Sequence, residues 1–155
     1  GQGVFSPMAQ GVLSGKYGID VLTFDVTSRE ECTADRVRSN TPLQALVLLD
    51  DPTYVEAARV FAEKIVREGG QGVVDRIHWS FARAVNRKPD RKEQRILEDL
   101  FHKQLDRYKA DVESAEKLVS AGEWPVPKDL DAAELAAWTS VSRAVLNLHE
   151  TITRN

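Results

Sequence analysis

The sequence predicts an all-α fold, an irregular helical bundle of about four main helices plus short ones behind a Gly-rich N-terminal segment. Apolar residues recur at i, i+3, i+4 and i+7 through most of the chain after residue 50. Helix-start signatures punctuate the sequence: Ser28-x-x-Glu31, Thr41-Pro42-x-Gln44, Asp51-Pro52, Asp90-x-x-Glu93 and Asp131-x-x-Glu134. Strand signals are nearly missing. Val21-Leu22-Thr23-Phe24 reads as a short extended piece with no partner downstream, so no sheet is expected.

The elements follow in order. The first eighteen residues hold Gly1, Gly3, Gly11, Gly15 and Gly18, and such density disfavours regular structure by backbone entropy. Residues 1–23 are therefore expected as a loose leading segment outside an all-α domain spanning 24–155. Ser28 and Glu31 predict a helical turn to Asp35, and Thr41, Pro42 and Gln44 a helix from Pro42 to about Leu49. Asp51 and Pro52 start a helix to about Glu68, closed by Gly69-Gly70, with Val55, Ala58, Phe61, Ala62 and Ile65 inward. Val73 to Arg87 forms the next, with Val74, Ile77, Phe81, Ala84 and Val85 on one face. Asp90 caps the longest helix, expected to run unbroken to about Ala121 with Leu97, Phe101, Leu105, Tyr108, Val112, Ala115 and Val119 inward. Gly122 to Leu130, with Pro125 and Pro127, is the clearest loop. Asp131 opens the last helix, carrying Leu135, Trp138, Val145, Leu148 and Ile152 at helical spacing.

At 155 residues, about 68–70% of the unfolded chain's surface can be buried, enough for one core without metal or disulfide support. No apolar run nears the ~20 residues of a bilayer-spanning helix, so no membrane insertion is expected. The net charge of −3 argues against whole-surface attraction to nucleic acid.

Several residues carry potential chemistry. Arg36, Arg38 and Asn40 precede the helix start at Pro42, where free amides and the positive dipole end favour a carboxylate, phosphate or sulfate. The competing reading pairs these arginines with nearby carboxylates, and it is the favoured one. Cys32, the single cysteine, lies near a helix start between Arg29 and Arg36, which lowers a thiol pKa, but no base is recognisable beside it and a buried inert thiol is expected. His78, His102 and His149 fall on three helices without metal-ligand spacing, so no metal site is expected, and His149 is placed at the surface. Arg83, Arg87, Lys88, Arg91, Lys92 and Arg95 form the one basic cluster, interleaved with Asp90 and Glu93. Trp138 falls on the core stripe. Trp124, in the Pro-bounded loop, is the candidate exposed aromatic and interface residue.

Glu31-Cys32-Thr33, Arg36, Arg38, Asn40-Thr41-Pro42-Leu43-Gln44-Ala45-Leu46, Leu48-Leu49 and Asp51-Pro52 together resemble a planctomycete-specific C-terminal domain of unknown function. In large secreted bacterial proteins that domain follows a cytochrome-c-like domain and a second planctomycete-specific domain. Arg76-Ile77, Phe81-Ala82-Arg83, Arg87, Pro89, Glu93, Glu134 to Trp138, Asn147-Leu148 and Glu150 extend the resemblance to most of Phe24 to Arg154. Asp35, Asp50 and His149 depart from the family's usual residues. The resemblance implies a periplasmic or extracellular parent and a place beside a haem domain, with no cofactor in this chain. It supplies no catalytic residue.

The sequence thus predicts an accessory interaction domain, docking onto other domains of its parent, a protein partner or an anionic ligand through the Glu31–Gln44 surface. Two alternatives stand beside it: an enzyme domain lending Arg36 and Arg38 to a shared anion site, and a helical nucleic-acid-binding module using the Arg83–Arg95 turn.

Overall fold

The computed structural model describes residues 51–152. The leading segment, the helix starts at Ser28 and Thr41, Cys32, and the Arg36, Arg38 and Asn40 group lie outside the described residues, as do the side chains of His149 and Ile152.

Helix α1, Pro52–Glu68, begins where expected. The Asp51 carboxylate accepts from the Thr53 amide at 2.8 Å, Pro52 occupies the first turn where its missing N–H costs nothing, and Gly69 closes the helix. Val55, Ala58, Ala62 and Ile65 are buried as their spacing implied. Helix α2, Val73–Ala84, is shorter than expected. Val85 caps it and Asn86 turns into the left-handed region at φ 61°, a conformation Asn tolerates better than most residues, so the chain leaves the helix before Arg87. Ile77 and Phe81 face the core, while Val74 is 39% exposed and Val73 packs inward instead.

Helix α3, Arg91–Ala110, opens with a complete capping box. Asp90 accepts from the Lys92 and Glu93 amides at 2.8 and 2.7 Å, and the Glu93 carboxylate accepts from the Asp90 amide at 2.7 Å. The expected continuous helix to Ala121 is corrected here. It stops at Ala110, and Asp111 (φ −133°, ψ 81°) starts a separate helix α4, Val112–Val119, by accepting from the Ser114 amide at 3.0 Å and its hydroxyl at 2.6 Å. Short polar side chains compete for backbone donors in this way, which suits Asp to caps rather than helix interiors. The break redirects the chain, so Val112 is 52% exposed while Ala115 and Val119 are buried.

Helix α5, Ala132–Leu146, starts at Asp131, whose carboxylate accepts from the Glu134 amide at 2.7 Å. The capping box suggested by the sequence is half made. The Glu134 carboxylate turns instead to Arg76 on α2, at 2.6 Å. A last turn, α6 (His149–Ile152), follows Asn147.

Among the described residues, helix α5 is the centre of the packing and touches each of the other helices. Nine of its fifteen residues are buried, too many for one stripe, so it is enclosed rather than laid against a surface. Ala136 and Ala137 let neighbouring helices approach closely. Two of its polar side chains are satisfied locally, the Thr139 hydroxyl donating to the Leu135 carbonyl at 2.7 Å and the Ser140 hydroxyl to that of Ala136 at 3.1 Å, whereas the buried Ser142 hydroxyl has no hydrogen-bond partner. Trp138 is fully buried, its ring 4.5 Å from that of Phe101 and 5.8 Å from the Arg76 guanidinium carbon.

Arg87 ties the α2–α3 turn to α6. Its guanidinium donates to both Glu93 carboxylate oxygens, at 2.8 and 2.6 Å, and from Nε to Glu150 at 2.8 Å. Hydrogen bonds from Arg87 outweigh the opposing effect of burial and, with a lesser one from the Asp90 amide, lower the Glu93 carboxyl from its ordinary 4.5 to about 2.

Two outcomes are expected. Trp138→Ala should cost about 3–5 kcal/mol in urea unfolding, since no neighbour can refill the cavity. Because the folded state lowers the Glu93 pKa, its contribution is full above pH 4.5 and fades as pH falls towards 2. Glu93→Gln should therefore lower the thermal midpoint at pH 7, and the gap to the parent protein should shrink steadily from pH 4.5 to pH 2.

Candidate interaction site

The 122–130 loop is laid along α1. Glu56, Arg59, Glu63 and Arg67, spaced three, four and four residues apart, share one face of that helix beside its apolar stripe. The Glu56 carboxylate accepts from the Trp124 amide. Arg59 donates from Nη2 to the Trp124 carbonyl at 2.7 Å and from Nη1 to the Pro125 carbonyl at 3.2 Å. Further along, Arg67 pairs with Asp129 at 2.8 Å and with Glu63 at 3.0 Å. The hydrogen bond with Arg67 leads the causes that hold the Asp129 carboxyl below its ordinary range.

The backbone N–H and C=O of Trp124 are both bonded to α1, while the residue as a whole stays 61% exposed. Pro125 and Pro127 fix φ on the following stretch. Gly122 makes the turn at φ 96°, and a Cβ there would fall 2.5 Å from Glu56 Cδ. Arg59 is fully buried, and its Nε has no hydrogen-bond partner, so the two loop carbonyls are the observed compensation for its burial.

Other candidates from the sequence resolve differently. Trp138 is core, and Trp79 is half-buried, with the Phe61 ring at 6.0 Å and Arg83 over it at 5.5 Å. His78 Nε2 lies 3.0 Å from the Gln94 carbonyl oxygen, and His102 packs edge-on to Phe101. No group of three or more metal-ligating side chains forms among the described residues. In the basic cluster, Arg87 is engaged by two carboxylates, leaving its turn less cationic than its composition suggested.

Sequence reasoning placed Trp124 in an exposed loop but missed the clamp beneath it. One signal was available. Position 59 falls within the i, i+3, i+4, i+7 pattern of Val55, Ala58 and Ala62, so an arginine there is directed inward and requires acceptors.

These features define an all-α domain that displays an exposed aromatic from a clamped loop. The chain belongs to the PSD1 family, proteins of unknown function (DUF1553), which it matches over residues 17–101. That stretch includes Arg36, Arg38, Asn40 and the Glu56–Arg67 ladder, and it ends before Trp124. No curated protein and no solved structure matches the chain.

Replacing Arg59 by Leu should release the loop while leaving the core in place, because the freed carbonyls can hydrate. Exchange of the Trp124 amide hydrogen should rise about tenfold or more, with little change in the slowest-exchanging amides of α5.

Proposed function

We propose that this domain is an accessory interaction module which docks through the 122–130 loop onto another domain of its parent protein or onto a protein partner. The observation that carries this reading is the posture of Trp124, an exposed indole on a backbone held at both N–H and C=O. A clamped loop loses little conformational freedom on binding, so more of the indole's burial energy appears as affinity. Tryptophan is also the residue type most enriched among energetic anchors of interfaces.

The resemblance to the planctomycete-specific domain supports a secreted, periplasmic or extracellular parent and a neighbouring cytochrome-c-like domain as the docking partner. Any haem then belongs to that neighbour. The Glu31–Gln44 surface, with Arg36, Arg38 and Asn40, is the docking surface the sequence itself suggests, and Trp124 is the anchor favoured here.

The test is affinity between this chain and the remainder of its parent protein, measured by calorimetry. Trp124→Ala should weaken binding about thirtyfold, the effect of losing one interface anchor of about 2 kcal/mol, with an unchanged thermal midpoint. Equal affinity of the variant and the parent protein would overturn the reading.

A further inference from the structure

A second surface is built by the α2–α3 turn and the first two turns of α3. Between residues 83 and 95 the chain holds six arginines and lysines against two carboxylates, Asp90 and Glu93. Both carboxylates are already engaged. Asp90 accepts from the Lys92 and Glu93 amides at 2.8 and 2.7 Å, and its charge faces the positive end of the α3 dipole. Glu93 is held by Arg87 at 2.8 and 2.6 Å and by the Asp90 amide. Arg87 is matched by these contacts and by Glu150, and Arg83 rests over the Trp79 ring.

Four cations remain outward. Lys88, Arg91, Lys92 and Arg95 are exposed, and none of them forms an ion pair among the described residues. Arg91, Lys92 and Arg95 are three and four residues apart, which puts them on one side of α3 with neighbouring Cβ atoms about 5–6 Å apart. Lys88 stands just ahead of the helix. Ile96, one turn on from Lys92, is 55% exposed and sets an aliphatic side chain beside the charges.

The size of this patch selects its partner. From Arg91 to Ile96 is about 8 Å along the helix axis. Charges at physiological salt are screened over a similar length, about 8 Å, so the patch attracts only anions lying directly over it. Further along α3 the exposed face is mixed in sign, Asp99 and Asp106 alternating with Lys103 and Arg107, and the whole chain carries −3. A long polyanion lays most of its charge over surface that does not attract it. A short acidic segment sets its carboxylates against the four cations alone, and the arginine forks suit carboxylate geometry. Ile96 narrows the choice again, because its exposed surface is used only by a ligand with an apolar side chain next to its charges.

We propose that this face of α3 binds a short acidic peptide segment of a partner protein, one with several carboxylates and an apolar side chain within a few residues. The carboxylates pair with Lys88, Arg91, Lys92 and Arg95, and the apolar side chain lies on Ile96.

The probe is a hexapeptide of four glutamates and two leucines, blocked at both ends and titrated into the whole chain while amide shifts are followed in ¹H–¹⁵N spectra. It should give saturable shifts at the Lys92, Arg95 and Ile96 amides in low salt. Its glutamine counterpart should bind about tenfold more weakly or worse. A counterpart with serine for leucine should lose about threefold. Paired Arg91→Gln and Arg95→Gln substitutions should weaken the glutamate–leucine peptide about tenfold, roughly threefold per exposed charge. Ile96→Ser should bring the leucine and serine peptides to equal affinity, and its exposure leaves the core undisturbed. Absence of saturation with the glutamate–leucine peptide would overturn the proposal, as would equal binding of the glutamine peptide. Tighter binding of an oligothymidylate of the same net charge would overturn it too, and would assign the patch to phosphodiester instead.

Discussion

Enclosure of α5 is the constraint on which the remaining architecture depends. A helix buried on most of its circumference must be surrounded, and α1, α3 and α4 pack around it with Trp138 and Phe101 in tilted ring contact in the interior. Hydrophobic burial of this kind is favourable in proportion to area but indifferent to direction. Direction comes from small residues and capped ends. Ala136 and Ala137 set how close neighbours come, and Asp51, Asp90, Asp111 and Asp131 each fix where a helix begins.

Helix α1 serves the core and the candidate site at once. Its apolar stripe at 55, 58, 62 and 65 docks on the bundle, and the adjoining ladder at 56, 59, 63 and 67 holds the 122–130 loop. The loop is thereby positioned by the same helix that the core positions, and Trp124 inherits the rigidity of the interior. Arg59 joins the two faces. A guanidinium without solvent contact is expensive unless its protons find acceptors, and the loop backbone provides them.

Several charged side chains among the described residues serve the architecture. Arg67, Arg76 and Arg87 each reach a carboxylate from a distant part of the sequence: Asp129, Glu134 and Glu150 respectively. Exposed pairs of this sort contribute modestly to stability, but their placement fixes how loops and turns sit on the bundle. The basic α2–α3 turn is neutralised at its centre for this reason.

The sequence by itself determined the helical class, most helix starts and most of the inward stripe of α1, because capping and helical periodicity are local and depend on residues within one or two turns. It also placed Trp124 in an exposed loop, since two prolines and a glycine exclude a helix there. Local signals misled where two local outcomes compete. Asp111 can sit within a helix or begin one, and Glu134 can close its own cap or reach Arg76; packing against α5 and α2 decided both. The Arg59 clamp and the Arg67–Asp129 pair join residues tens of positions apart. Only tertiary structure brings such groups within hydrogen-bonding distance, and no spacing along the chain encodes that meeting.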